Sequence, residues 1–272
     1  MFDLSTAELV VFVFGVTLGA TALGAFLGSR VRHLSDSLSE PFGVLQGALL
    51  GVVGLILAFG LSLALSRYED RREVIVTEAN TIGTTYLRAQ TLPEPIRTRS
   101  LGLLVTYTES AIKLSDYVPG TGEEDQVTAA EQRLQRRLWR LAGAALEREP
   151  VASAPRLYTE TLNQMIDAQN SRTAALNNQV PTTVLMLEIL GAAIALGLLA
   201  AFLAVVGRGL PGVLLASALV AFLLFITADL DRPTRGAIKV PDTVLTDELE
   251  SMRLPPAAAP VSAPARGVRQ EP

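Results

Sequence analysis

The chain of 272 residues has no cysteine, one histidine and one tryptophan. Without cysteine there can be no disulfide, no thiolate nucleophile and no sulfur-bound metal. The single imidazole, His33, lies beside Arg30 and Arg32 in a short connection, where it reads as a solvated or headgroup-facing side chain. Acid–base pairs, activated nucleophiles and zinc centres have almost nothing to be built from, so no enzyme, catalytic residue, metal or other cofactor is expected. Excess charge is also missing. The 23 basic residues against 27 acidic ones leave a net charge of −4, and with a pI near 5.2 this argues against nucleic acid as a partner.

Apolar residues are abundant: 49% of the chain is hydrophobic, 21 residues are glycine and the mean hydropathy is +0.36. Four uncharged apolar runs occupy residues 9–28, 41–66, 189–207 and 209–228, in two pairs on either side of a long polar stretch. Each is long enough to cross a hydrocarbon core of about 30 Å as a helix of about 20 residues. In lipid only a fully hydrogen-bonded helix is tolerable there. The first run is not expected to be a cleaved signal: residues 1–8 carry Asp3 and Glu8 without Lys or Arg, and the apolar run is too long. Arg67, Arg71, Arg72, Arg172, Arg232, Arg235 and Lys239 flank one side of the spans, against Arg30, Arg32 and Arg208 on the other, which places both termini and the central segment in the cytoplasm.

The polar stretch reads as helices separated by proline. The second apolar helix has no stop signal at Ser66 and runs on to about Thr91, where Pro93 and Pro95 end it. A helix over about 95–117 is closed by the turn cluster Pro119-Gly120-Thr121-Gly122. Over 123–149, Leu134, Leu138, Leu141 and Ala145 form a stripe against Arg133, Arg136, Arg137 and Arg140, with Trp139 beside it as core or interface packing. Ser153 and Pro155 cap a further helix carrying Leu157, Leu162, Met165 and Leu176 that ends before Pro181. No alternating β-branched run appears. The expected fold is therefore an all-α membrane protein: transmembrane helices 1 and 2 in 1–66, a cytoplasmic helical domain in 67–180, transmembrane helices 3 and 4 in 181–229, a cytoplasmic segment in 230–253, and a Pro/Ala-rich disordered tail in 254–272.

Gly15, Gly19, Gly24 and Gly28 on the first span, and Gly43, Gly47, Gly51 and Gly54 on the second, repeat the spacing that lets helix backbones approach in lipid. Opposite the second series, Leu45, Leu49, Val52, Ile56, Phe59 and Leu63 form an apolar stripe. Around a symmetric ring it would line a hydrophobic constriction; facing lipid it would be ordinary hydrocarbon contact. The segment Arg67-Tyr68-Glu69-Asp70-Arg71-Arg72 leaves the membrane on the same side as Asp229-Leu230-Asp231-Arg232-Pro233, and either a structural ion-pair network or an ion-attracting vestibule fits these charges. Glu188, some ~10 Å along the third span from Pro181, is the one acid embedded near an apolar run, and is either a functional carboxylate or one that reaches headgroup water. Glu78 and Asn80 lie about two turns beyond Arg71 and Arg72. Both read either as a polar contact that registers this helix against the Asp231 region or as an ion site lining a vestibule.

At these residues the chain resembles the bestrophins, and more closely the bacterial bestrophin-like membrane proteins. The resemblance spans about residues 5–250 and rests on Arg67-Tyr68, Arg71-Arg72, Glu78-Ala79-Asn80, Ile82-Gly83-Thr84, Tyr86-Leu87-Arg88-Ala89 and Asp229-Leu230-Asp231-Arg232-Pro233 with Gly236. Asp70 stands where bacterial bestrophins carry Glu. The resemblance implies a pentameric, all-helical ion channel of the bacterial inner membrane with a hydrophobic neck near Val52, Ile56 and Phe59, the lipid bilayer and inorganic ions being its partners. It does not carry calcium activation over, because the calcium clasp of animal bestrophins needs a longer acidic run than Asp229 and Asp231 provide. Two functions stay open: an oligomeric ion channel of unresolved ion type, and a non-conducting membrane scaffold or sensor whose helical domain binds a partner.

Overall fold

The computed structural model describes residues 5–31, 35–115, 117, 121–207 and 209–258, the side chains of 35–42 and 210 excepted. His33, the Pro119-Gly120 turn and the tail from residue 259 lie outside the described residues. Eight helices, and no strand, occur among the described residues: α1 (Thr6–Arg30), α2 (Ser35–Ala89), α3 (Ile96–Leu114), α4 (Gly122–Arg148), α5 (Ser153–Asn177), α6 (Thr182–Val206), α7 (Leu210–Leu230) and α8 (Thr243–Met252). Four of the helical stretches are long and apolar enough to cross a membrane. The chain divides into two compact units, one of Met1–Glu69 with Asn178–Lys239, the other of Asp70–Asn177 with Val240–Pro272.

The first unit holds α1, the apolar part of α2, α6 and α7. Lipid is as apolar as leucine, so these helices associate through close backbone packing and buried hydroxyls rather than through a hydrophobic driving force. α1 begins with a reciprocal cap in which Ser5 Oγ accepts from Glu8 N–H at 3.2 Å and Glu8 Oε2 accepts from Ser5 N–H at 2.7 Å. Its buried face, Leu9, Val13, Thr17, Thr21, Gly24 and Gly28, steps by three and four residues. A Cβ at Gly24 would collide with the backbone of Gly197 on α6, and one at Gly28 with that of Ala201. On the same face of α1, Thr21 Oγ1 lies 2.7 Å from Ser217 Oγ of α7. Gly15 and Gly19 meet nothing within 4 Å, so only half of the α1 glycine series is used here. The turn from α6 to α7 is made by Gly207 (φ 77°) and Gly209 (φ 89°), both left-handed, followed by Pro211 at the first turn of α7.

The second unit packs the rest of α2 with α3, α4, α5 and α8 around a core that includes Ile75, Ile82, Leu104, Tyr107, Leu138, Leu162, Met165, Leu245 and Met252. Pro93 and Pro95 separate α2 from α3 as expected, and the connection is tied down by Arg148, whose Nη1 donates to Glu94 O at 2.8 Å. Thr121 caps α4, and Glu123, Glu124 and Asp125 place negative charge on its positive dipole end.

Several expectations need correction. Ser153 is the first residue of α5 itself. Trp139 is 45% exposed and so is not part of this chain's core. α8 was not foreseen within the segment 230–253; Leu245, Leu249 and Met252 supply its buried face. The tail does not begin free at 254: Ala258 N–H donates to Gln90 Oε1 and its carbonyl accepts from Arg97 Nη2, both at 2.9 Å.

The α1–α6 seam yields a paired test. Gly24→Ala, which would drive a methyl into the Gly197 backbone, should destabilise by about 1–3 kcal/mol and reduce the recovery of folded protein in detergent. Gly15→Ala should leave thermal stability unchanged. Equal melting temperatures for the two variants would contradict this seam.

Candidate functional site

The longest helix carries the candidate site. α2 turns two faces of different character to its surroundings, and each runs unbroken from its apolar to its polar half. Gln46, Val53, Leu57, Gly60, Ala64, Arg71, Ile75, Glu78, Ile82 and Ala89 are buried at three-, four- and seven-residue steps. A second face alternates steps of four and three throughout residues 45–84: Leu45, Leu49, Val52, Ile56, Phe59, Leu63, Ser66, Asp70, Glu73, Thr77, Asn80 and Thr84. None of these is buried, and Val52 and Phe59 are 56% and 66% exposed. The face is wholly apolar as far as Leu63 and wholly polar from Ser66. A strict 3–4 repeat drifts about 20° per heptad on a straight helix, so copies of it meeting along this face would incline around a common axis.

On the buried side of the apolar half, Gly60 leaves the notch into which Glu188 of α6 projects; a Cβ at position 60 would collide with the carboxylate. Glu188 is buried, and neither of its oxygens has a hydrogen-bond partner among the described residues. It therefore sits inside a helix seam rather than reaching headgroup water.

On the buried side of the polar half, Glu78 was expected to register the helix against the Asp231 region. The partner it has is Arg172 of α5: Nη1 donates to Glu78 Oε2 at 2.7 Å, with both side chains fully buried. Arg172 Nη2 also donates to Ala111 O at 2.9 Å and to Ser115 Oγ at 2.7 Å, so one guanidinium joins α2, α3 and α5. Glu131 of α4, also fully buried, faces this pair, and its Oε2 accepts from Gln169 Nε2 at 3.2 Å. Burial, and then the neighbouring Glu78 charge, push the Glu131 carboxyl up to about 8, against the smaller opposing effects of Arg172 and Gln169. Burial likewise pushes the Tyr107 phenol well up. Arg71 is buried and its Nε donates to Ala175 O at 3.3 Å, while in the first unit Arg67 Nη1 donates to Asn178 Oδ1.

The acidic segment after α7 is built as a turn. Asp229 Oδ1 and Oδ2 accept from Ala237 and Ile238 N–H, each at 2.9 Å, and Asp231 Oδ2 accepts from Val180 N–H at 2.7 Å. Both carboxylates are fully buried. Gly236 passes so close that a Cβ would lie 2.7 Å from Asp229 O. Oxygens held on interior amides in this way are poorly placed to meet ions in solution.

The sequence-derived residues therefore separate. Val52, Ile56, Phe59, Asp70 and Asn80 share the uncovered face of α2; Arg71, Glu78, Glu188, Asp229 and Asp231 are interior; Arg67 is half-buried; Arg72 is exposed but off the repeat. Sequence reasoning did not find Gly60, Glu73, Glu131 or the pairing of Arg172. The 3–4 repeat continuing through Glu73 to Thr84 was a readable signal for Glu73; the other three depend on long-range packing. Among the described residues no cluster of three His, Cys, Asp or Glu residues could hold a metal ion.

A family model described as a bestrophin-like domain matches residues 10–245. Among solved structures, a bacterial bestrophin homologue from Klebsiella pneumoniae in a point-substituted form superposes with a TM-score of 0.66 at 15% identity, over 89% of this chain and 97% of that one. A structure of the Klebsiella pneumoniae homologue obtained by zinc phasing gives 0.64 at 16% identity, over 86% and 97%. At that identity the likeness is one of fold. No curated protein matches the chain.

The Glu131 environment sets a pH dependence. Its folded value of about 8 lies above the ordinary 4.5, so between those limits the folded protein keeps a proton that the unfolded chain has released. Stability should therefore fall as pH rises across that window, by at most about 1.4 kcal/mol per pH unit from this group, and level off above it. Thermal unfolding in detergent from pH 5 to 9 should show the decline in the wild type and a flatter profile in Glu131→Gln. Parallel profiles would assign the proton elsewhere.

Proposed function

The chain belongs to the bestrophin-like family, and from that membership we propose that it is an oligomeric ion channel of the bacterial inner membrane whose pore is lined by the 3–4 repeat face of α2. Bestrophins are channels rather than enzymes, and this chain is read in the same way. The observation that carries the reading is the 3–4 repeat face of α2, no residue of which is buried, that is apolar through Val52, Ile56, Phe59 and Leu63 and polar from Ser66 onward. Lipid contact alone would account for the apolar half. It gives no reason for the same repeat to continue in register through Asp70, Glu73, Thr77, Asn80 and Thr84, whereas a pore axis does: a narrow apolar neck that gates by dewetting, then a wetted vestibule. Copies arranged as a closed ring, a pentamer by family likeness, bring the face to that axis.

The ion preference follows from which charges share the face. Arg67, Arg71 and Arg72 would draw anions, but none of them lies on the repeat, whereas Asp70 and Glu73 do. Rings of these carboxylates at the inner mouth concentrate cations. The helical domain and both termini are assigned to the cytoplasm by the flanking basic residues. Arg172, one of the residues in that count, is committed to the buried Glu78 pair, yet the excess survives without it.

Flux into liposomes tests the pore. The Val52, Ile56, Phe59→Ala triple variant should raise monovalent cation flux well above wild type, from a sample whose size is a defined oligomer. Asp70→Asn with Glu73→Gln should lower cation over anion preference several-fold at low salt. Absence of flux from every sample, with a monomer or dimer in detergent, would move the protein to the scaffold or sensor reading.

Topology has an independent test, because a chain without cysteine accepts a single reporter thiol. Val151, 90% exposed in the α4–α5 connection, is the site. Val151→Cys should react with a membrane-impermeant maleimide in inverted inner-membrane vesicles and stay unlabelled in intact spheroplasts; the opposite pattern would reverse the orientation.

A further inference from the structure

We propose that the arginine-lined groove between α3 and α4 is a binding site for a small soluble molecule carrying two or more phosphate groups. The groove has a volume of about 780 Å³, in the range of small-molecule sites. Arg99 of α3 and Arg137 and Arg140 of α4 line it over a floor of Gly102, Leu103 and Leu141. On the other flank of Arg140 a second hollow of about 590 Å³ is walled by Arg136, Gln135, Ile166 and the exposed indole of Trp139. Arg140 lines both hollows.

Several other arginines of the same unit have partners. Arg88 pairs with Glu160, Arg97 with Glu94 and Arg172 with Glu78, while Arg148 and Arg156 donate to the carbonyls of Glu94 and Pro150. Arg99, Arg133, Arg137 and Arg140 have no hydrogen bond or ion pair among the described residues, and Arg136 makes one long bond, to Gln132 O at 3.4 Å. On α4 these cations stand three and four residues apart, an arrangement in which like charges repel along the helix, and no acid lies between Arg133 and Arg140 to offset them. In a chain of net charge −4 this is a local concentration of positive potential. Guanidinium forks, here offered from two helices, suit the non-bridging oxygens of phosphates in two-pronged geometry. Arg99, Arg137 and Arg140 line one groove and Arg136 shares the adjoining hollow with Arg140, more cations than one phosphate requires, so the fitting ligand carries a chain or cluster of them. A phosphate lipid headgroup offers the same chemistry, and the experiment separates the two sources.

The test uses the full chain in nanodiscs of neutral phosphatidylcholine, titrated calorimetrically with inorganic tripolyphosphate. Emission of Trp139, the one tryptophan of the chain, is recorded alongside. Saturable binding that changes the emission is expected. Arg140→Gln should weaken it at least tenfold, whereas Arg133→Gln, exposed on the same helix but lining neither hollow, should weaken it no more than twofold. All three proteins should elute identically by size. Equal weakening by both variants would reduce the patch to diffuse attraction and overturn the site. No binding of tripolyphosphate, with a Trp139 response only when phosphatidylglycerol vesicles are added, would assign the face to a bilayer surface and likewise overturn it.

Discussion

The Glu78–Arg172 ion pair determines how α2 can be turned within its helical unit, and much of the rest follows from that setting. Both side chains are fully buried, so each has lost its hydration and depends on the other. Removing either partner from such a pair typically costs about 3–5 kcal/mol, because an uncompensated charge is left behind, even where the intact pair adds little net stability. Its contribution is orientation. Arg172 also holds Ala111 O and Ser115 Oγ, which makes it a three-helix junction whose geometry no rotated α2 could satisfy. Glu131 is buried in the same cluster, and burial first, then its place as a second acid beside Glu78, holds its proton well above the usual carboxylate range.

Once Glu78 faces inward, helical periodicity assigns the rest of α2 in that unit. Residues at three- and four-residue steps from it, Arg71, Ile75 and Ile82, are buried, and Asp70, Glu73, Thr77, Asn80 and Thr84 must point elsewhere. The apolar half of α2 belongs to the first unit and is set by its own contacts. There Gly60 faces Glu188, and Phe59, one residue away, is uncovered. A carboxylate seated in a glycine notch is a steric key as well as a polar oddity: no residue with a Cβ could stand at position 60 without displacing it. Inward polar anchors at Glu78 and Glu188 thus leave an outward face whose chemistry changes only once, between Leu63 and Ser66.

How much of this was legible in the sequence depended on the range over which each feature is encoded. The spans, the proline breaks and helices α3 to α5 are local features, written in hydropathy, in proline positions and in periodicity, and they appear within a few residues of where the sequence placed them. The neck candidates Val52, Ile56 and Phe59 were readable as a stripe because a helix face is a local pattern. The partner of Glu78 was not, since Arg172 lies 94 residues away and only packing selects it from the other arginines. Of the two packing roles read for Trp139, the core role fails because an aromatic beside an apolar stripe resembles core until the neighbouring helices are in place, and here they leave it 45% exposed. Gly60 falls outside the repeating glycine series that drew attention to Gly43, Gly47, Gly51 and Gly54, and of those Gly47, Gly51 and Gly54 meet nothing within 4 Å.

That last inversion bears on assembly. In a lone chain most of the regularly spaced glycines of α2 are unused, while the irregular one is filled by a carboxylate. Small residues serve along a membrane helix where another backbone approaches, and among the described residues only Gly43 of this series has a neighbour within 4 Å, the Phe202 ring. The heptad-spaced stripe stands on the opposite side of the same helix, so α2 has two uncovered faces and one covered one. A helix immersed in lipid on both uncovered faces would have no need of two distinct patterns there. In a ring, one face would meet the adjacent subunit and the other the axis, and the two patterns would each have a reason.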